Sequence, residues 1–205
     1  MNIAVTGGAG FIGSHIVEKL VGRGDNVIVI DNLQTGKKEN LKTVWDKINF
    51  LEMDIRNFDL LKTELKNIDG IFHEAALASV QDSFVKPKEY HDVNVTGTEN
   101  IFKLAKEFGF KVVYASSSSV YGNPIKIPIN EESGKNPINP YGQTKLDDEI
   151  IAKKYAKEGV RIVGLRYFNV FGERQSKNYA GVIKLFLERI ENHNPPIING
   201  GCSQI

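Results

Sequence analysis

The sequence predicts an α/β fold built on a doubly wound parallel sheet, and three observations support this prediction. Apolar segments of strand length alternate along the chain with segments whose apolar residues recur at helical spacing. Each strand segment is a near-continuous apolar run, which is typical of a parallel sheet covered by helices on both faces. Glycine-rich and polar segments follow the strand ends, which is where ligands of such sheets bind.

The predicted strands and helices alternate in order along the chain. The predicted strands span residues 3–5, 26–30, 48–53, 69–73, 111–115 and 160–167. The predicted helices span residues 11–20, 59–66, 90–108 and 139–157, and another begins at 179–183. Asn139 is a favourable N-cap, and Pro140 suits the first helical position. We expect one domain over residues 1–168 and the incomplete beginning of a smaller domain over residues 169–205.

The composition argues against several classes of function. The 205 residues are 41% hydrophobic and 25% charged, which is ordinary for a globular protein. A net charge of +1 gives no electrostatic basis for nucleic acid or an anionic membrane as the principal partner. The single cysteine, Cys202, excludes an internal disulfide and favours a cytoplasmic location. The scattered histidines lack metal-ligand spacing, so we expect no metal site.

The turn after the first strand, Thr6-Gly7-Gly8-Ala9-Gly10-Phe11-Ile12-Gly13-Ser14, is a candidate phosphate-binding turn. Its glycine spacing differs from the generic dinucleotide-binding pattern, so a plain strand–turn–helix is the alternative for this segment taken alone. In the functional interpretation, Gly7 allows a tight turn with positive φ, and Gly10 lets a pyrophosphate approach the backbone. Gly13 allows close packing of helix on strand, and the helix N-terminus favours phosphate.

Asp31 follows the second strand, 18 residues beyond Gly13, close to where a dinucleotide fold has an acidic residue on the adenosine ribose. A carboxylate accepts both hydroxyl protons and repels a 2′-phosphate, so Asp31 favours NAD over NADP. Lys37 and Lys38 could accept that phosphate, which leaves the preference open, and a capping role for Asp31 is the structural alternative. The small residues Ala75-Ala76 would let the backbone pass close to a cofactor.

Tyr141 and Lys145 lie four residues apart on the predicted helix and therefore share one face. A free phenol, with a pKa of ~10, is a poor base at neutral pH. A cation within about 4–6 Å and the positive end of a helix both favour the phenolate. Such a tyrosine can remove a hydroxyl proton, while a serine of the run Ser116–Ser119 holds the same oxygen. The same spacing is common on solvated helices, but the neighbouring strand-end motifs favour catalysis here.

These motifs resemble the extended short-chain dehydrogenase/reductase family, and within it the NAD-dependent nucleotide-sugar epimerases, the UDP-glucose 4-epimerases especially. The matching segments lie in family order along nearly the whole chain. They are T-G-G-A-G-F-I-G-S, D-N-L-Q-T-G, M-D-I-R, H-E-A-A, N-V-T-G-T, S-S-S-S-V-Y-G, N-P-Y-G-Q-T-K and L-R-Y-F-N-V-F-G. The resemblance implies a Rossmann-like NAD-binding domain followed by the start of a sugar-nucleotide-binding domain.

The resemblance also implies which residues bind NAD and substrate. The residues implied at the pyrophosphate are Gly7, Gly10, Phe11, Ile12 and Gly13. Those implied at the adenosine are Asp31 and Asn32 for the ribose, with Asp54 and Ile55 for the adenine. Those implied along the rest of the cofactor are Ala75, Ala76, Asn94, Tyr141 and Lys145. Those implied at the substrate, a UDP-hexose, are Ser117, Tyr141, Asn169 for its diphosphate and Val182 for its base.

By the same resemblance, Tyr141 is the base, Lys145 binds the nicotinamide ribose and tunes Tyr141, and Ser117 is the catalytic hydroxyl. The implied reaction is reversible inversion at C4 of the UDP-hexose through a 4-keto sugar, in a homodimer. Ser118-Ser119 stand where related 4,6-dehydratases have Asp-Glu, and serines cannot perform that acid–base chemistry near neutral pH.

Several alternatives stay open at this point. One is a reductase or dehydrogenase of the same family, and another is an epimerase of UDP-N-acetylglucosamine or UDP-glucuronate. A third is a non-catalytic NAD-binding regulator. Family members continue beyond Ile205, and Gly201-Cys202 departs from the acidic–glycine pair usual there. We therefore expect a truncated chain with a complete cofactor site and an incomplete substrate site.

Overall fold

The computed structural model describes residues 1–176 and 182–197. The chain divides into two compact units, Met1–Phe168 and a smaller one from Asn169 onward. The strands of the first unit are β1 (Asn2–Thr6), β2 (Asn26–Asp31), β3 (Ile48–Glu52), β4 (Gly70–His73), β5 (Lys111–Ser117) and β6 (Ile162–Tyr167). They form one six-stranded sheet in the order β3-β2-β1-β4-β5-β6, with parallel pairing throughout. The predicted fold class is confirmed.

The helices agree with the predicted alternation and add short segments to it. Those of the first unit are α1 (Phe11–Gly22), α2 (Phe58–Glu64), α3 (Val80–Val85), α4 (Pro87–Tyr90), α5 (Gly97–Phe108) and α6 (Pro140–Lys157). The second unit contains α7 (Val182–Glu191). Short 3₁₀ helices span Lys38–Leu41, Trp45–Lys47 and Ser118–Tyr121, and a π-helix spans His91–Thr96. Among the residues that the structure describes, no helix has both the length and the apolar character needed to cross a membrane.

Helices cover both faces of the sheet, as the apolar strands predict. One core cluster, which joins β1 and β2 to α1, contains Ile3, Val5, Ala9, Val17, Leu20, Val27, Val29, Leu41 and Val44. The opposite cluster joins the sheet to α2, α5 and α6, and Phe102 is its largest fully buried side chain. The edge strand β6 is less covered than the central strands, because Val163 is 55% exposed and Leu165 is 40% exposed. The buried centre of the sheet is therefore β1 with its neighbours β2 and β4.

The strand order reverses between β1 and β4, which lie side by side although two strands separate them in the sequence. Their carboxyl ends meet at one edge of the sheet, and the connections that follow them diverge. In open α/β sheets this divergence leaves a crevice in which ligands bind. The glycine turn follows β1, and Ala75 and Ala76 follow β4, so both sequence motifs lie at this crevice.

We predict that Gly13, in the first turn of α1, tolerates no side chain. A Cβ there would lie 2.2 Å from the Gly7 carbonyl oxygen and 2.8 Å from Gly8 Cα. Gly13→Ala should lower the free energy of unfolding by at least about 1–3 kcal/mol, the usual result of overpacking, as measured by urea denaturation.

Gly22 is the matched control on the same helix, because a Cβ there would meet no atom within 4 Å. Gly22→Ala should be neutral or stabilise the protein by about 0.4–1 kcal/mol, since alanine restricts the unfolded chain more than glycine does. Equal stability of the two variants would contradict the packing argument.

Candidate active site

The glycine turn contains three glycines at which a Cβ would clash, Gly7, Gly8 and Gly13, and one more open position, Gly10. Gly7 has φ +65°, and a Cβ on it would lie 2.7 Å from the Ala75 backbone nitrogen, so glycine lets the turns after β1 and β4 touch. Gly13 is closed by the Gly7 carbonyl, as described above. A Cβ on Gly10, by contrast, would meet only the Gly7 carbonyl oxygen, at 3.1 Å. Gly10 therefore presents bare backbone at the crevice.

The N-terminus of α1 lies at the same place and suits an anion. The helix begins at Phe11 without a side-chain cap, and its first turn contains no acidic residue. The first amides of a helix have no acceptor within the helix, and the positive end of the helix dipole lies with them. The donor set of Phe11, Ile12 and Gly13 therefore fits a pyrophosphate group.

Asp31 is buried, with 7% of its surface exposed, and it ties the glycine turn to the loop after β2. Its Oδ2 accepts the Ala9 N–H at 2.9 Å, and its Oδ1 accepts the Leu33 N–H at 2.8 Å. Burial raises the pKa of Asp31, and the two amide hydrogen bonds oppose that rise. Gly36 lies directly over the carboxylate, because a Cβ there would be 2.8 Å from both oxygens. Each carboxylate oxygen keeps a lone pair that can accept a ribose hydroxyl.

The residues expected at the adenine differ in what they present. Arg56 donates from Nε at 2.9 Å and from Nη2 at 2.7 Å to the Asp54 carboxylate, and this lowers the pKa of Asp54 to about 2. Asn32 donates to the same carboxylate at 3.1 Å. The Ile55 side chain is buried in the core against Gly97. Ile55 therefore has only its main chain to offer a ligand.

Asn94, which is fully buried in the π-helix, joins the loop after β4 to α6. Its Oδ1 accepts the Leu77 N–H at 2.8 Å. Its Nδ2 donates to the Leu77 carbonyl at 3.0 Å and to Thr144 Oγ1 at 3.1 Å. The amide is thus satisfied within the protein, and these contacts give Asn94 a positioning role. Ala75 and Ala76 lie in the loop that it holds, and both are half-buried.

The structure brings Ser117 and Tyr141 onto adjoining turns. Ser117 ends β5, and its Oγ accepts the Ser119 N–H at 3.1 Å, which leaves the serine proton to donate elsewhere. Asn139 caps α6 by accepting the Gly142 N–H at 2.7 Å. A Cβ on Gly142 would lie 2.8 Å from the Ser119 carbonyl oxygen. The first turn of α6, with the half-buried Tyr141, therefore packs directly against the serine turn.

Lys145 supplies a buried cation on the Tyr141 face of α6. It is 3% exposed, and its Nζ lies 3.2 Å from Oδ2 of the fully buried Asp148. Burial by itself would lower the pKa of Lys145, but Asp148, followed by Tyr141 and Glu74, raises it above its ordinary value. Lys145 is therefore protonated at neutral pH.

Glu74 is a titratable residue of this site that sequence reasoning missed. It follows β4, and Tyr167 donates its hydroxyl to Oε1 at 3.2 Å. Its Oε2 is buried and has no hydrogen-bond partner among residues 1–176 and 182–197. Burial raises the pKa of Glu74 to about 7, although Tyr167 and Lys145 act in the opposite direction. The available signal was the H-E-A-A segment, in which a charged residue directly follows a buried strand.

A second missed feature is an ion pair that fixes Ser116. Arg166 on β6 donates from Nε at 2.7 Å and from Nη2 at 2.9 Å to the Glu149 carboxylate on α6. Ser116 Oγ donates to the same carboxylate at 2.8 Å, and Arg166 Nη1 donates to Tyr121 Oη at 2.6 Å. Ser116 is therefore engaged in holding β5, β6 and α6 together, whereas Ser117 keeps a proton to donate.

The two residues expected only at the substrate belong to the second unit. Asn169 is the first residue of that unit, and Val182 is the first residue of α7. The Val182 side chain lies outside the described residues, as do the expected start of this helix at residues 179–181 and Cys202. The roles of Asn169 and Val182 stay predictions.

The comparisons with known proteins agree with this geometry. The model of the NAD dependent epimerase/dehydratase family matches residues 3–205. The chain therefore belongs to that family.

Relatives and solved structures narrow the similarity. The UDP-glucose 4-epimerase of Lactobacillus helveticus is 42% identical over 176 residues, which are 84% of this chain and 52% of that protein. One similar solved structure is the UDP-N-acetylglucosamine 4-epimerase of Methanobrevibacter ruminantium M1, in complex with UDP-N-acetylmuramic acid. It is 40% identical to this chain with a TM-score of 0.93, and the match covers 99% of this chain and 66% of that one. Another is the UDP-glucose 4-epimerase of Thermotoga maritima, solved with UDP-glucose. It is 38% identical with a TM-score of 0.91, and the match covers 98% of this chain and 66% of that one. The chain thus spans between about half and two thirds of their length.

The raised pKa of Glu74 predicts a pH-dependent stability. Because burial raises this pKa from 4.5 to about 7, the stabilisation from protonated Glu74 is full below the lower value and is lost as pH rises through the upper one. Glu74→Gln stays uncharged and should raise the free energy of unfolding at about pH 8 by up to about 3 kcal/mol, as measured by urea denaturation.

Tyr167→Phe is the opposing variant. The Tyr167 hydroxyl lowers the pKa of Glu74, so its removal should extend the loss of stability to higher pH. The same pH dependence in wild type and Glu74→Gln would show that Glu74 is not the group responsible.

Proposed function

We propose that this chain contains the cofactor site and catalytic residues of an NAD-dependent 4-epimerase that interconverts UDP-glucose and UDP-galactose. The observation that supports this most is the pairing of Tyr141 with the buried Lys145 cation on α6, on a turn packed against Ser117. The names of the relatives from Lactobacillus helveticus and Thermotoga maritima support UDP-glucose as substrate. The name of the Methanobrevibacter ruminantium structure makes UDP-N-acetylglucosamine the second candidate.

The crevice residues fit NAD by the chemistry of their donors and acceptors. The bare backbone at Gly10 and the amides of Phe11–Gly13 would receive the pyrophosphate, and the Asp31 carboxylate would receive the adenosine ribose. When bound, NAD supplies a reversible hydride acceptor. The carboxylate of Asp31 would repel a 2′-phosphate, which supports NAD over NADP.

In the proposed mechanism Tyr141 exchanges one proton with the sugar. The Tyr141 oxygen takes the proton of the 4-hydroxyl as C4 is oxidised, and the Lys145 ammonium stabilises the phenolate. Ser117 donates its hydroxyl proton to the same sugar oxygen and orients it. The 4-keto sugar rotates within the site, which presents the other face of C4 for reduction. Tyr141 returns the proton to the sugar oxygen as C4 is reduced on that face. The cycle ends without net oxidation of the sugar.

The reaction is tested by incubating the NAD-loaded full-length protein with UDP-glucose, UDP-N-acetylglucosamine and UDP-glucuronate separately and identifying the products by NMR. We expect UDP-galactose from UDP-glucose, with no accumulation of NADH. Tyr141→Phe should lower kcat by about 10²–10⁴-fold, because it removes the proton-transfer group.

Tyr155→Phe is the control on the same helix, since its hydroxyl bonds to Glu99 at 3.4 Å, and it should keep wild-type kcat. Accumulation of NADH would favour a dehydrogenase. Unchanged cellular function in Tyr141→Phe would favour a non-catalytic regulator. A homodimer and a cytoplasmic location stay predictions.

The cofactor preference gives a separate test by calorimetric titration. We expect tighter binding of NAD than of NADP. Asp31→Asn should weaken NAD binding by about 10-fold or more, because hydrogen bonds to a charged group are lost. The same variant should reduce the difference between the affinities for NAD and NADP. If NADP binds the wild type as tightly as NAD does, Lys37 and Lys38 accept its phosphate and the interpretation of Asp31 is wrong.

A further inference from the structure

Asp148 is a buried acid next to the proposed catalytic residues. It lies on α6, is fully buried, and its Oδ2 is 3.2 Å from Lys145 Nζ, which is itself 3% exposed. A buried ammonium without a counter-ion tends to lose its proton, because removal from water disfavours the charged form. Asp148 is therefore placed to counter that effect at Lys145.

The other groups that face Lys145 do not provide an equivalent counter-ion. Tyr141 shares its helix, and Glu74 faces it from the end of β4, but in the described part of the chain the Lys145 ammonium forms its hydrogen bond with Asp148. Burial raises the pKa of both Glu74 and Asp148 to about 7, and the Lys145 ammonium opposes that rise at each carboxyl. His73 on β4 also feels the Lys145 charge. Burial, followed by Lys145, lowers the pKa of His73 to about 3, so His73 is neutral. Asp148 is the carboxylate in direct contact with the ammonium.

A line of buried hydrogen bonds leads from the glycine turn to Thr98, whose hydroxyl acts on the pKa of Asp148. The Ala75 N–H donates to Thr6 Oγ1 at 3.3 Å, and Thr6 Oγ1 lies 2.6 Å from His73 Nδ1. His73 Nε2 lies 2.8 Å from Thr98 Oγ1. The Thr98 hydroxyl lowers the pKa of Asp148, whose Oδ1 is buried and has no hydrogen-bond partner in the described part of the chain.

Two neutral tautomers of His73 satisfy these contacts, and one of them directs its donors towards Asp148. Because His73 is neutral, one ring nitrogen accepts and the other donates. In that tautomer the Thr6 hydroxyl donates to Nδ1 and Nε2–H donates to Thr98, which leaves the Thr98 proton available to Asp148. A hydroxyl donor beside the Asp148 carboxylate favours its ionised form, as Thr98 does by lowering the Asp148 pKa.

We propose that Asp148 is a positioning residue, whose buried carboxylate holds the Lys145 ammonium in its cationic form and in contact with the Tyr141 face of α6. The proposal adds to the proposed function a residue that acts on substrate only through Lys145. Loss of the carboxylate leaves Lys145 buried without its counter-ion, so Lys145 becomes neutral at a lower pH.

The direct test is the titration of Lys145 in the full chain labelled with ¹³Cε-lysine, without any sugar present. The Lys145 signal is assigned by its absence in Lys145→Met. Asp148→Asn, which preserves shape, should lower the Lys145 titration midpoint by about 1–3 pH units. Asp148→Glu keeps the charge and should hold the midpoint near that of the wild type.

Asp147→Asn is the matched control. It removes the same charge one residue away, at a half-buried carboxylate that accepts a hydrogen bond from Gln143 at 2.9 Å. The titration midpoint of Lys145 should be unchanged in this variant. In the enzymatic assay, Asp148→Asn should move the alkaline limb of the kcat profile to lower pH by the same amount as the Lys145 midpoint.

An unchanged titration midpoint of Lys145 in Asp148→Asn overturns the proposal. The proposal is also overturned if Asp148→Asn and Asp148→Glu lower that midpoint by the same amount. The titration needs no turnover, so a protein that converts no UDP-sugar refutes the proposed function and still tests Asp148.

Discussion

The backbone contact between Gly7 and Ala75 is the constraint on which the rest of the site depends. It brings together the turns that follow β1 and β4, where the strand order of the sheet reverses. Gly13 lies equally close to the Gly7 carbonyl, so the N-terminus of α1 is directed to the same point. Asp31 fastens this turn from the other side through the Ala9 amide. The crevice therefore exists because these backbone segments meet without side chains between them.

The chemistry of the site depends on how α6 is held. Asp148 and Glu149 are neighbours in sequence but bind on different sides of the helix, one to Lys145 and the other to Arg166 of β6. The Asp148–Lys145 pair lies within α6, so the second attachment of this helix to another element is the hydrogen bond from Asn94 to Thr144. Buried ion pairs of this kind are weak evidence for net stability, because desolvation opposes the attraction. The Glu149–Arg166 pair and the Asn94–Thr144 hydrogen bond instead orient the helix on which Tyr141 lies.

Local sequence patterns predicted most of the fold, but they did not predict which side chains distant in sequence form pairs. The six strands, α1 and the Asn139 cap of α6 follow from apolar runs and capping residues close together in sequence. The helix α3 was missed because it has no apolar stripe facing the core: Phe84 is 61% exposed and Val85 is 79% exposed. The π-helix was expected as ordinary α-helix, because a segment of 6 residues is shorter than the window over which helical periodicity can be recognised.

The candidate site shows the same division between local and distant information. The glycine turn and the spacing of Tyr141 and Lys145 are local, so the sequence indicates them. Glu74 and Tyr167 are 93 positions apart, and Glu149 and Arg166 are 17 apart on different elements. Asp148 is only three residues from Lys145, but the sequence does not reveal that both are buried.

The strand order has a consequence for the way the sheet can be assembled as the chain leaves the ribosome. β2 adds to one edge of β1, and β3 adds to β2; β4 then adds to the free edge of β1, followed by β5 and β6. Each new strand meets an exposed edge, so none must be inserted between two strands already paired. The elements around the glycine turn are synthesised first, and Arg166, which completes the pairing with Glu149, arrives with the last strand. The sheet can thus grow in the direction of synthesis.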